Sequence, residues 1–120
     1  MRDNNAVVIK SKLFALRIMR LFEYLNDNYR LSPVANQVLK SGTSIGANVK
    51  EAVRAQSKPD FYSKLNIALK EASETEYWLE LLHESGYITE EQFKSIYEDC
   101  QEAIKILVSI TKTQKSDVNS

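Results

Sequence analysis

Apolar residues recur along the chain at alternating spacings of three and four positions, the period of a helix that buries one side. In the first such stretch the apolar seam consists of Phe14, Ile18, Leu21 and Leu25. Three more stretches with this period follow, separated by short polar segments. The pattern predicts four helices, over about residues 8–29, 33–56, 58–85 and 90–113.

The second stretch contains two glycines, Gly42 and Gly46. Each glycine costs a helix about 0.5–1 kcal/mol relative to alanine, so propensity alone would allow a loop here. The apolar period nevertheless continues in phase through both positions. Their spacing places them on one face, where the missing side chains let a neighbouring backbone approach. We expect one continuous helix, with Ala68 and Ala72 of the third helix as plausible partners of this face.

Residues at the ends of these stretches match helix-capping preferences. Ser32 is predicted to be the N-cap of the second helix, and Ser57 that of the third. Thr89 begins a capping-box pattern for the fourth helix, and Gly86 is a natural terminator of the third. Because the connections are short, consecutive helices should pack antiparallel. The predicted fold is all-α, an antiparallel up-down-up-down four-helix bundle.

Length and composition agree with this fold. The chain has 120 residues, with only three glycines and two prolines, so we expect a single helical domain over residues 1–120, with a frayed polar tail at 114–120. No apolar run reaches the length of about 18 residues that a membrane span needs, and the N-terminus lacks the features of a signal peptide. The sequence predicts a cytoplasmic protein with no membrane association.

Candidate catalytic chemistry is sparse. Glu80 and His83 match the Glu-x-x-His spacing of di-iron bundles, but that site requires two such motifs and two further glutamates, and His83 is the only histidine. The pair is expected to be exposed. Cys100 lies in the apolar period of the fourth helix, as a buried structural thiol does. The sequence thus predicts no catalytic residue, metal site or cofactor, and no enzymatic activity.

Charge is divided between the two halves of the chain, although the net charge is zero. Residues 1–58 carry ten basic and four acidic side chains, and residues 59–120 carry six and twelve. A basic surface on the first two helices would bind the phosphates of RNA or DNA. Alternatively, the halves pair between subunits, or antiparallel helices neutralise one another within the chain. The candidate nucleic-acid contacts are Lys10, Arg17, Arg20, Lys40, Lys50 and Arg54.

The first and third helices carry more apolar residues than one core-facing stripe requires. The additional residues fall on other sides of the helical wheel, which indicates a second buried face. Contact with further copies of the chain is the natural explanation. The candidate interface residues are Leu13, Leu16, Met19, Tyr77, Trp78 and Leu81.

Three blocks of sequence resemble a known family, the 23S rRNA intervening-sequence proteins of bacteria, over about residues 10–112. The blocks are Ser44-Ile45-Gly46-Ala47-Asn48-Val49-Lys50-Glu51-Ala52, Phe61-x-x-x-Leu65-x-Ile67-Ala68 and Ser73-x-x-Glu76. The resemblance implies a four-helix bundle, commonly gathered into a pentameric ring. It also implies kinship with the accessory variability determinant of diversity-generating retroelements, which binds nucleic acid and a reverse transcriptase. Asn48, Glu51 and Glu76 are implied to make polar contacts that fix helix register or subunit contact.

These observations together favour a non-catalytic homo-oligomeric adaptor that binds RNA or DNA through a basic face of the first two helices. Among the possible oligomeric states, a pentamer is favoured. The alternative is an assembly scaffold that binds only protein and has no affinity for nucleic acid. In that version the basic half of one subunit contacts the acidic half of the next, a heterologous contact that closes into a ring.

Overall fold

Four helices joined by connections of two to five residues make up the computed structural model, which describes residues 2–114, with side chains from Ala6 onward. Residues 115–120, most of the predicted tail, lie outside the described residues. No strand occurs among the described residues, so the predicted all-α four-helix fold is confirmed. The helices are α1 (Arg2–Tyr29), α2 (Ser32–Val53), α3 (Lys58–Glu84) and α4 (Glu90–Thr111).

Each helix packs on two neighbours. α1 and α3 both contact α2 and α4, so α1 and α3 occupy opposite corners of an elongated bundle of 51 × 22 × 20 Å. The interior is a single apolar core to which every helix contributes, including Phe14, Ile45, Leu79 and Leu107. In α4 the most buried residues are Ile96, Cys100, Ala103 and Leu107. None of the described helices is both long and apolar enough to span a bilayer.

Two helix ends differ from the sequence prediction. α1 begins at Arg2 instead of near residue 8, because Val7 extends the buried stripe of α1 by a further turn. α2 ends at Val53 instead of near Gln56, and the backbone N–H of Gln56 donates to the Asp60 carboxylate in the first turn of α3. Gln56 therefore lies in the connection between α2 and α3 and bonds to the first turn of α3.

The capping predictions hold at three of four sites. Ser57 accepts a hydrogen bond from the Asp60 N–H, and Thr89 and Gln92 form a complete reciprocal capping box. The prediction for Ser32 was wrong: Leu31 occupies the cap position without a side-chain hydrogen bond, and Ser32 is the first helical residue. The Ser32 hydroxyl instead donates to the Asn26 side chain, 3.3 Å away.

Gly86 ends α3 in the left-handed conformation, with φ of 85°. The N–H of Tyr87 bonds to the Leu82 carbonyl and that of Gly86 to the His83 carbonyl, which together form a Schellman motif. A β-carbon at Gly86 would touch nothing within 4 Å, so only the backbone conformation penalises a side chain here. Gly86→Ala is expected to lower the free energy of unfolding by about 1 kcal/mol, measured by urea denaturation. A stability equal to wild type would contradict this account of the turn.

The glycine face of α2 packs on α1, which corrects the partner predicted from the sequence. A β-carbon on Gly42 would lie 2.7 Å from Ile18 Cγ1, and one on Gly46 would lie 3.3 Å from the Ser11 carbonyl oxygen. Ala68 and Ala72 of α3 are buried elsewhere, and the Ala72 carbonyl accepts from the Cys100 thiol of α4. The side of α2 that faces α3 is marked instead by the buried Ser41–Thr75 hydrogen bond of 2.9 Å.

Candidate interaction surfaces

Glu80 and His83, the pair with di-iron spacing, each bond to a different residue of α4. The Tyr97 hydroxyl donates to Glu80 over 2.5 Å, and His83 Nε2 lies 2.7 Å from a Glu90 oxygen while its ring stacks on Phe93 at 4.2 Å. Both residues are half-buried, so the prediction of an exposed pair was wrong. Among the described residues, no group of three or more His, Cys, Asp or Glu is arranged to hold a metal. The contacts of Glu80 and His83 hold α3 against α4.

Cys100 is fully buried, and its thiol donates to the Ala72 carbonyl at 3.5 Å. Burial, with a smaller contribution from the charge of Glu76, raises the pKa of the Cys100 thiol to about 12. A thiol with this pKa is almost entirely protonated at neutral pH and is a poor nucleophile. Cys100 is therefore a structural side chain, as its place in the apolar period predicted.

The predicted basic residues of α1 lie away from those of α2. Lys10 pairs with Glu102, and Arg17 pairs with Asp99 at 2.7 Å and also donates to the Ser95 carbonyl. These two residues hold α1 to α4, the least extensively packed neighbours in the bundle. Arg20 bonds to Glu23 within α1 at 3.3 Å. Part of the charge asymmetry of the sequence is thus neutralised within the chain.

On α2 and at its C-cap, by contrast, Lys40, Lys50 and Arg54 are exposed and form no ion pair with another described residue. Lys40 and Arg54 are fourteen residues apart, four turns, so they share one side of the helix. Lys50 and Arg54 line a groove between α1 and α2, whereas Lys40 lies beyond its end. The structure therefore brings together two of the six predicted basic residues at this groove.

The α1–α2 groove has a volume of about 730 Å³ and contains one cation that sequence reasoning missed, Lys12. The groove is lined by small residues of both helices, Ala15 of α1 and Gly46 and Ala47 of α2. These small residues are the feature of the sequence from which the groove could have been predicted. None of its lining residues among those described is acidic. The lining residues are Val8, Lys12, Ala15, Thr43, Gly46, Ala47, Val49, Lys50, Val53 and Arg54.

Two apolar faces point away from the core. On α1 this outer face consists of Ile9, Leu13, Leu16 and Met19, each 50–58% exposed. On α3 it consists of Ile67, Tyr77 and Leu81, with Tyr77 55% exposed. Among the predicted interface residues only Trp78 is half-buried, and its indole N–H donates to Glu74. Sequence reasoning missed Ile9 and Ile67, although both continue the spacing of their faces.

The three motif residues make polar contacts of different kinds. Asn48 donates to the Ser44 carbonyl within α2, and Glu51 pairs with Lys64 at 3.3 Å, which links α2 to α3. Glu76 bonds to Gln101 of α4, and burial raises the pKa of the Glu76 carboxyl. Glu51 and Glu76 therefore connect α3 to both of its neighbours.

Comparison with known proteins places this bundle among similar chains. The family model described as "23S rRNA-intervening sequence protein" matches residues 3–109. A crystal structure at 1.70 Å resolution of a protein of unknown function from Bacteroides thetaiotaomicron, assigned to the S23 ribosomal protein family, is 54% identical in sequence. The match covers 92% of this chain and 99% of that one, with a TM-score of 0.91. No curated protein matches the sequence.

Proposed function

The chain belongs to the 23S rRNA-intervening sequence protein family, and from its surfaces we propose that it is a non-catalytic subunit that assembles with copies of itself. The observation that carries this proposal is the pair of exposed apolar faces on opposite corners of the bundle. Large apolar side chains grouped on the exposed side of a helix are costly in water and mark interaction sites. The bond patterns around Glu80, His83 and Cys100 are those of structural contacts.

Charge complementarity favours contact between the α1 face of one copy and the α3 face of the next. Lys12 lies beside the outer side of α1, where Arg20 is already paired with Glu23, and Glu74 and Glu84 lie on the outer side of α3. A contact between two different faces is heterologous, and it closes into a ring when the rotation between copies permits. The family resemblance favours a ring of five copies. Such a subunit serves as a scaffold that presents several identical surfaces to its partners.

Hydrodynamic mass tests this proposal directly. We expect the wild-type protein to have a mass several times the 13.7 kDa of one chain in sedimentation velocity, and five times that mass for the favoured ring. Leu16→Glu should yield a monomer, because it places a carboxylate in the apolar contact. Val108→Glu is the matched control, since Val108 of α4 is exposed but lies on neither face. A monomeric wild type, or equal effects of both variants, would reject the proposal.

Nucleic-acid binding is the second candidate function, and the observation that favours it is the exposed, unpaired set Lys40, Lys50 and Arg54 on α2. Lys10 and Arg17 contribute little to it because α4 carboxylates already neutralise them. The expected affinity is modest, salt-sensitive and independent of sequence.

Charge reversal of these three residues tests this second function. Lys40→Glu/Lys50→Glu/Arg54→Glu is expected to weaken binding of a labelled 20-nucleotide RNA or DNA strongly at low salt, and to reduce the magnitude of the negative slope of log K against log salt by about 2–3. The matched control reverses Lys94, Lys105 and Lys112, which are exposed on or just after α4. Equal losses of affinity in the two triple variants would show that binding depends only on the net charge of the protein. If the wild type does not bind nucleic acid, the alternative of a scaffold that binds only protein is favoured.

A further inference from the structure

We propose that the α1–α2 groove binds an amphipathic helix of another protein, one whose apolar stripe is flanked by acidic residues. The groove and the α1 outer face are different surfaces that share an edge at Lys12, because Ile9, Leu13 and Leu16 of that face do not line the groove. The inference is carried by three properties of the groove: its dimensions, its apolar interior and its uncompensated positive charge.

The dimensions fit a helix. Along α2 the groove extends from Thr43 to Arg54, a distance of about 16 Å or three helical turns. Small residues occupy its middle, where Ala15 faces Gly46 and Ala47. The approach of the two backbones at Gly46 is what makes the groove, since a β-carbon there would already lie 3.3 Å from the Ser11 carbonyl. Large apolar side chains of an incoming helix, spaced by three and four residues, would fill such a concave strip.

The interior is apolar and exposed. Val53 is 54% exposed on the wall of the groove, and Val49 forms part of its floor. Among the described residues no aromatic side chain lines the groove, so it lacks the rings on which unpaired bases stack in most single-strand binding sites. An apolar floor gains little from a phosphate backbone but gains stability from leucine-like side chains. The observations therefore favour a helix over nucleic acid at this site.

The charge determines the chemistry of the partner's flanks. Lys12, Lys50 and Arg54 line the groove, none is in an ion pair with a described residue, and no acidic side chain among those described lines it with them. Lys10 and Lys64, by contrast, already pair with Glu102 and Glu51 and are not available to a partner's carboxylates. Glutamates on both sides of an apolar stripe would meet these three cations and would speed association through electrostatic steering.

A displayed peptide library tests this inference. Each member is an 18-residue helix with Leu, Ile, Phe or Ala at stripe positions and Glu, Lys or Gln at the flanking positions, selected on the full-length protein. We expect enrichment of Glu over Lys at the flanks. Selected peptides should bind the wild type in fluorescence anisotropy with an affinity that falls as salt is added. Lys50→Glu/Arg54→Glu and Ala47→Trp, which fills the groove from an exposed helix position, should each weaken binding at least tenfold.

Matched controls separate the alternatives. Lys94→Glu/Lys105→Glu, which makes the same change in net charge on α4, should alter peptide affinity less than twofold. Ala47→Trp should keep the sedimentation mass of the wild type, so that failure of the groove and failure of assembly are distinguished. The inference is overturned if the enriched flanks are not acidic or if Ala47→Trp leaves peptide affinity unchanged. It is also overturned if Ala47→Trp dissociates the oligomer, which would make the groove a contact between copies, or if the groove variants weaken RNA binding alone.

Discussion

Replacing Gly42 with alanine is expected to destabilise the fold by about 1–3 kcal/mol, although alanine is the better helix former. A β-carbon at this position would lie 2.7 and 2.8 Å from Ile18 Cγ1 and Cγ2, well inside van der Waals contact. Ile18 is completely buried in the core, and its Cγ1 and Cγ2 branch directly from the β-carbon, so relieving this overlap requires the whole side chain or the backbone to shift. Overpacking of this kind typically costs 1–3 kcal/mol, which outweighs the gain of at most about 1 kcal/mol in helix propensity.

A double-mutant cycle identifies the cause. Ile18→Ala removes all three side-chain atoms that the new β-carbon would meet, and by itself it should cost about 2–5 kcal/mol through the cavity it leaves. In that background Gly42→Ala should be neutral or stabilising, so the sign of its effect reverses. The stabilities are compared by urea denaturation at one protein concentration, because assembly adds a concentration-dependent contribution. An unchanged penalty in the Ile18→Ala background would show that the α1–α2 contact is not its source.

The same glycines show what the sequence could and could not predict. The apolar period fixes which residues of α2 lie on which side of the helix, so the continuity of α2 through Gly42 and Gly46 followed from the sequence. The period does not determine whether the bundle turns to the left or to the right. That choice decides whether a given flank of α2 meets α1 or α3. The glycine face was therefore predicted correctly as a close approach but assigned to the wrong neighbour.

Features that form within one helix could be predicted from the sequence better than contacts between two helices. Ser57, Thr89 and Gly86 act within one turn of their own helix, and all three capping predictions were confirmed. Ser32 failed because Leu31 ends the preceding connection one residue earlier than expected, after Arg30 takes a left-handed conformation with φ of 52°. The groove depends on Lys12 meeting Lys50 and Arg54 across two helices. No pattern within either helix specifies that meeting.

Mixing two assembly-defective variants should restore contact, and this is the sharpest test of an α1-to-α3 interface. Leu13→Glu/Leu16→Glu removes the α1 face, and Tyr77→Glu/Leu81→Glu removes the α3 face. Each variant alone should be monomeric, because losing two half-exposed apolar contacts and placing carboxylates between subunits should weaken association at least about 100-fold. An equimolar mixture retains one intact α3 face and one intact α1 face. It should therefore form a heterodimer of about twice the mass of one chain, and nothing larger.

Contact between two identical faces would give a different pattern, because an isologous interface uses the same residues on both partners. If α1 packed on α1, the variant altered on α3 would keep that contact alone and the mixture would add no new species. If α3 packed on α3, the variant altered on α1 would keep that contact alone, and the mixture would again add no new species. The heterodimer also lacks the mutual support of a closed ring, so its population should fall on dilution more steeply than that of the wild-type assembly. Sedimentation velocity at several concentrations resolves these cases, and an equimolar mixture that remains monomeric at high concentration would rule out the α1-to-α3 contact.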